Sequence, residues 1–237
     1  MTCILDGFKR NGCGSCPPTC PHRIAMNGLN GRGGRVGASG IPDAYRHLTL
    51  ANSPAREGQR AIYESLERYV ATFGRGEAVK SVYLWSVTPG TGKTTTAAAL
   101  ANEFIARHYL TALKNGEQPA QVPAVFLDVN EFQSEYNLAA MTKDDAAMER
   151  IGERIRRAQR APFAVRDDIG VRGSTEAFTG YLHAIINHRV SNSLPTVYTS
   201  NVPITDLQSV FTPRLYDRIR DQNGVIEFKG ESKRGRR

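Results

Sequence analysis

Residues 82–100 read VYLWSVTPGTGKTTTAAAL, an apolar run that turns through Pro-Gly-Thr-Gly into Lys-Thr and then into alanines. The first part has the branched and aromatic content of a buried strand, and the last part has the content of a helix. Glycines 90 and 92 let the intervening amides turn into one concavity, and the new helix adds the partial positive charge of its first turn. Such a loop holds phosphate groups. In this pattern Pro89, Gly90, Thr91, Gly92, Lys93, Thr94 and Thr95 form the run that contacts ATP. Lys93 reaches the β- and γ-phosphates and Thr94 offers its hydroxyl to Mg²⁺. The usual loop opens on glycine, whereas this chain has Val87 there, at the point where strand becomes loop.

A triphosphate site also needs a carboxylate for its metal and a group that orients the attacking water. Residues 162–170, PFAVRDDIG, supply two acids at the end of a short apolar strand. The carboxyl ends of strands are where open parallel sheets bind ligands. Asp167 is assigned to the metal shell, through water, and Asp168 to polarising the nucleophile. Arg166, just before them, is a charge that must face solvent or a partner. Residues 194–201, LPTVYTSN, end another short strand in Ser200 and Asn201, and Asn201 can hold the water or sense the γ-phosphate.

Strands at 79–87, 122–129, 162–165 and 196–199 alternate with helical patterns at 94–113 and 132–160. This order implies an α/β fold, a parallel sheet flanked by helices on both faces. Ahead of it, Ile62, Leu66, Tyr69, Val70 and Phe73 have the spacing of an amphipathic helix. Three regions follow: a cysteine-rich piece at 1–26, a glycine-rich linker at 27–40, and a domain at 41–237. In the linker glycine recurs too often for a stable helix or strand.

Cys3, Cys13, Cys16 and Cys20 fall within the first twenty residues, with His22 close behind. So small a piece cannot build a core, and four thiolates, with His22 as a substitute, predict a Zn²⁺ site. The Cys-x2-Cys-x3-Cys-Pro run also suits an iron–sulfur cluster.

The chain carries 31 Lys and Arg against 23 Asp and Glu, a net charge of +8 in 237 residues. That excess favours a polyanionic partner. The candidate contacts are Arg150, Arg154, Arg156, Arg157 and Arg160, together with Lys229, Lys233, Arg236 and Arg237. No apolar run approaches the roughly 20 residues of a membrane span, and the first residues lack the pattern of a secretory signal, so a cytoplasmic location is expected.

The combination of TPGTGKT, DDIG followed by TEAF and LHAIINHRV, LPTVYTSN, PRLYDRI and ESKR resembles the DnaC/DnaI-type helicase loaders of bacteria and their phages. IstB-type transposition helper ATPases are near relatives. The resemblance implies an AAA+ P-loop ATPase with a reduced C-terminal lid and a small metal-binding amino-terminal module. It implies ATP-dependent loading of a hexameric replicative helicase onto single-stranded DNA, by a homo-oligomer in a bacterial cell or phage-infected host. Asn201 is similar to a sensor 1 residue, and Arg218 to an arginine finger that acts in trans, with Arg214 as its fallback. Arg234 is similar to a sensor 2 arginine, although the family usually has an aromatic residue where Lys233 stands. Two other functions fit the same motifs: an IstB-type helper, and an adaptor that binds nucleotide without hydrolysing it.

Overall fold

The computed structural model describes residues 3–8, 16–74, 78–170, 175–209 and 211–233. Its centre is a sheet of five strands: β1 (Ser81–Trp85), β2 (Ala124–Asp128), β3 (Phe163–Asp167), β4 (Thr196–Ser200) and β5 (Asn223–Glu227). Their order is β2-β3-β4-β1-β5, and every neighbouring pair is parallel. Asp128 lies opposite Asp167, and Trp85 opposite Ser200. This register brings the carboxyl ends of β1 to β4 to one rim.

Side chains alternate along each strand, so the sheet has two apolar faces. Val82, Leu84, Phe126, Val165 and Val197 join one core, packed with α4 (Lys93–Lys114) and α3 (Arg60–Val70). Tyr83, Leu127 and Tyr198 join the other, packed with α5 (Val129–Thr142), α6 (Asp145–Arg160), α7 (Glu176–Ser191) and α8 (Pro213–Gln222). Each fully buried Leu, Ile or Phe contributes roughly 1.5–3 kcal/mol. The layers are therefore held by apolar burial on both sides, as the strand and helix alternation predicts.

Residues 132–160, expected to be mostly helical, divide into α5 and α6. Lys143 takes a left-handed φ of 53° and Asp144 caps α6 by accepting from the Ala147 N–H. After β4 the chain adds α8 and then β5 on the free edge of β1. The described residues beyond it, 228–233, hold no helix.

The stretch read as a glycine-rich linker contains α2 (Gly34–Ala38), packed on α1 (Pro21–Asn27). A Cβ on Gly34, whose φ is +61°, would lie 2.5 Å from the Met26 carbonyl. That glycine serves close helix approach, which a count of glycines does not reveal. Val36 is buried in the α4-side core, and Arg35 donates to the Ala25, Pro119 and Ala120 carbonyls.

Cys3, Ile4, Leu5 and Met26 join the same core. His22 Nδ1 lies 2.9 Å from the Tyr109 hydroxyl. Among the described residues no three His, Cys, Asp or Glu side chains come together to hold a metal, and Cys13 lies outside them. Neither the zinc site nor the iron–sulfur alternative finds support here. Apolar burial against α4 supplies the stabilisation that the sequence reading attributed to a metal.

Candidate functional site

The loop between β1 and α4 closes around two left-handed glycines, Gly90 at φ +78° and Gly92 at φ +102°. A Cβ on Gly92 would lie 2.4 Å from the Ala55 Cβ, so only glycine fits beneath the segment that precedes α3. Gly92 is the cap of α4, and the helix begins at Lys93. Lys93 is buried, with Nζ 3.4 Å from both the Ser86 and Thr88 carbonyls. Val87 is 73% exposed and stands outside the cavity lining. The loop therefore tolerates the missing first glycine.

The acid-tipped strand lies beside this loop. The Thr94 hydroxyl donates to Asp167 Oδ2 at 3.0 Å, and the Thr199 hydroxyl donates to Asp167 Oδ1 at 2.6 Å. Burial pushes the Asp167 carboxyl up to about 6, aided by the charges of Asp128 and Asp168 and opposed by the two hydroxyl donors. A carboxylate so placed gains from a cation.

Asp168 takes a left-handed φ of 59°, a conformation that Asp tolerates better than most residues. Its N–H donates to the Thr199 hydroxyl at 2.9 Å. The turn aims its carboxylate at two amides, Asn130 Nδ2 at 2.9 Å and Asn201 Nδ2 at 3.3 Å.

A cavity of about 960 Å³ joins these groups. Pro89, Gly90, Gly92, Lys93, Thr94 and Thr95 line it on one side, and Asp128, Asn130, Asp167, Asp168, Thr199 and Asn201 on another. Most of the residues singled out in the sequence thus converge. Thr91 is buried within the loop. Asn130 and Thr199 were missed. Thr199 had a signal, because it stands two residues before Asn201 on a strand that pairs with β3. Asn130 had none, since it reaches Asp168 across 38 positions of sequence.

Arg218 lies on α8 and donates to Asn187 Oδ1 at 2.6 Å and to Ser191 Oγ at 3.3 Å. Neither it nor the exposed Arg214 lines the cavity. Arg234, Arg236 and Arg237 lie outside the described residues.

Arg166 corrects the expectation that it faces solvent or a partner, because it is 1% exposed. Its guanidinium donates to the Ala158 carbonyl at 2.6 Å and the Val165 carbonyl at 3.1 Å. The carboxyl-terminal turn of α6 supplies one acceptor with partial negative charge, the Ala158 carbonyl, in place of a carboxylate. Burial, and next the charge of Arg189, pull its proton affinity down to about 9.

On α6, Arg150, Arg156, Arg157 and Arg160 are exposed. Arg154 pairs with Glu135 and lies 5.1 Å over the Phe132 ring. A groove of about 470 Å³ runs along Arg156, Arg157 and Arg160 beside Val122 and Pro162. Among the described residues no helix is long and apolar enough to cross a membrane.

No family model matches the chain. It is 24% identical over 187 residues to the replicative helicase loader DnaI of Bacillus subtilis, a match that covers 73% of this chain and 54% of that protein. It is 23% identical over 202 residues to the replicative helicase loader DnaC of Buchnera aphidicola, covering 84% and 74%. The chain thus spans about half the length of the first relative and three quarters of the second. A crystal structure of DnaI matches with a TM-score of 0.59 and 25% identity, over 82% of this chain and 95% of that one. In sequence and in fold, this chain resembles the replicative helicase loaders of the DnaI and DnaC kind.

Proposed function

We propose that this protein is an ATPase of the AAA+ kind that loads a hexameric replicative DNA helicase onto single-stranded DNA when replication begins. The observation that carries the reading is the bond from Thr94 to Asp167, which joins the phosphate loop to the acid-tipped strand in a chain that resembles helicase loaders.

The residues fit a magnesium nucleotide. The two left-handed glycines leave a cradle free of Cβ atoms, and Thr94 and Asp167 place two oxygens of the type that Mg²⁺ takes alongside phosphate and water. When bound, the ion neutralises charge on the phosphates. Lys93 draws the β- and γ-phosphates into the loop, and the first turn of α4 adds its amides. Asp168, oriented by Asn130 and Asn201, accepts a hydrogen bond from the attacking water and holds it in line. Thr199 fixes the rotamer of Asp167 and the backbone of Asp168 together, so that the two acids act as one rigid pair.

Arg218 lies away from the cavity of its own chain, which supports a finger that reaches the nucleotide of a neighbouring subunit. A guanidinium there stabilises the transferring phosphoryl group and is worth about 10³–10⁵ in rate. The exposed arginines of α6 suit the phosphate backbone of single-stranded DNA without choice of sequence. ATP binding holds the assembly on the helicase, and hydrolysis releases it.

The test is a pull-down with purified hexameric helicase, with and without ATP, using wild type and Asp168→Asn. The proposal expects capture of the helicase by both proteins, with ATP-dependent release only from the wild type. Capture of a transposase in place of helicase would identify a transposition helper. An ATPase rate unchanged by Asp168→Asn would support the non-hydrolysing adaptor.

A further inference from the structure

Val122 and Pro162 lie just ahead of β2 and β3, whose first residues, Ala124 and Phe163, stand side by side in the sheet. They mark its amino-terminal edge, opposite the rim that carries the cavity. α6 ends there, at Arg160. The groove of about 470 Å³ opens between these elements, with a volume in the range of roughly 300–1,000 Å³ that ligand clefts occupy. Val122, Ala161 and Pro162 supply its apolar lining. Val122 and Ala161 belong to the small core cluster of Val125, Ala158 and Ile185, which holds that lining in place.

The polar lining consists of Arg156, Arg157 and Arg160 against the single carboxylate of Glu153. Among the described residues none of the three arginines forms an ion pair. Arg157 is steadied by donating to the Ala38 carbonyl at 2.8 Å. Arg156 and Arg160 stand four positions apart on the helix, a spacing at which like charges repel, and an anion between them offsets that cost.

A phosphate backbone and an acidic peptide could both provide the anion, and the lining favours the peptide. Among the described residues no aromatic side chain lines the groove for a base to stack on. Glu153 repels a chain of phosphates, whereas it can accept a hydrogen bond from a peptide N–H. The apolar lining suits a side chain that a phosphate backbone lacks, and guanidinium forks bind carboxylates through paired hydrogen bonds.

We infer that this groove docks an acidic segment of a protein partner, one in which carboxylates flank an apolar side chain. The exposed arginines of α6 are thereby divided: Arg150, outside the lining, is left to the DNA contact proposed above, and the last turns of the helix serve protein. Groove and cavity lie at opposite edges of the sheet, so the docking does not depend on the ATP site.

The experiment measures fluorescence anisotropy of three labelled probes with the full-length protein, at low and high salt. The probes are a pentapeptide of four glutamates around a central leucine, the same peptide with a central alanine, and a dT oligonucleotide. Wild type is compared with the double variant Arg156→Glu/Arg160→Glu, with Val122→Ser and with Arg150→Glu; the three arginines are exposed, so their reversal leaves the core intact. Wild type should bind the leucine peptide at least about fivefold more tightly than the alanine peptide, and both more weakly as salt rises. The double variant should lose about tenfold or more for the leucine peptide. Val122→Ser should remove the advantage of leucine, and Arg150→Glu should weaken the oligonucleotide while holding the peptide within about twofold. The inference is overturned if the leucine peptide does not bind wild type, if the two peptides bind equally, or if the double variant keeps its peptide affinity. A double variant that loses more affinity for the oligonucleotide than for the peptide gives the groove to nucleic acid and overturns it as well.

Discussion

Among single residues, the molecule concentrates unfavourable features where the loop after β1 meets the acid-tipped strand. Asp167 is 5% exposed, carries a carboxyl pushed up to about 6 mainly by burial, and sits next to Asp168 in a left-handed backbone conformation. Without a cation this arrangement costs stability, since a buried carboxylate is paid for only partly by two hydroxyl donors. Asp167→Asn removes the charge and keeps the shape, and the amide can still exchange hydrogen bonds with Thr94 and Thr199. Its nucleotide-free form should be as stable as wild type or more stable, by up to about 2 kcal/mol. In turn, the added stability that Mg²⁺ and ATP together give the wild type should vanish. Thermal melts with and without Mg-ATP check both halves, and a variant that melts lower yet keeps the ligand-induced rise would contradict the assignment. Lys93, Thr94, Asp167 and Asn201 were legible in sequence, because each stands at a fixed distance from a strand end. Asn130 was not, because its bond to Asp168 depends on which elements become neighbours, and Thr199, although it stands two residues before Asn201, meets Asp167 only once β3 and β4 pair.

At the scale of elements, two buried arginines join α6, α7 and the sheet. Arg189 of α7 is fully buried and donates to the Ala158, Gln159, Ala161 and Pro195 carbonyls and to the Thr196 hydroxyl. It thereby closes the carboxyl end of α6 and fixes the start of β4. Arg166 shares the Ala158 carbonyl, but its Nε has no hydrogen-bond partner among the described residues. The two residues should therefore respond differently to loss. Arg189→Met leaves several buried carbonyls unsatisfied and should cost about 3–5 kcal/mol. Arg166→Met removes a crowded charge with an unmet donor, and should cost less than about 1.5 kcal/mol. Urea unfolding monitored by circular dichroism measures both, and equal costs would refute the distinction. The sequence showed β1 to β4 through their apolar runs. It did not show β5, because Asn223-Gly224 reads as a turn and the strand is largely exposed. That strand forms because the outer edge of β1 has backbone groups that need partners. The burial of Arg166 was hidden for a similar reason: one of its acceptors, the Ala158 carbonyl, belongs to the end of α6, a helix that precedes it by only a few residues.

For the whole molecule, the sheet rim gathers the loop, the acids and the polar strand end into one cavity, while Arg218 stands outside it on α8. The proposed completion of the site by Arg218 of another copy makes a definite prediction. Arg218→Ala should bind ATP with near wild-type affinity and hydrolyse it at least about tenfold more slowly, a conservative share of what arginine fingers supply. Asp168→Asn should also be slow. Mixing the two should restore part of the activity, because an intact cavity then meets an intact finger. No recovery on mixing would mean that Arg218 acts within its own chain or only holds α8 to α7. The parallel α/β architecture was legible from the alternation of strands and helices alone. The packing of residues 21–38 onto α4 was not, because its glycines signal flexibility in sequence and close contact in three dimensions.

The proposed function stands on one cavity gripping a magnesium nucleotide between the loop after β1 and the carboxylate of Asp167. Calorimetric titration of ATP into the wild-type protein, with Mg²⁺ present and then chelated, measures that grip. Binding should saturate near one nucleotide per chain, weaken markedly on chelation and be abolished in Lys93→Ala. Absence of binding in the wild type, or equal binding by Lys93→Ala, would contradict it.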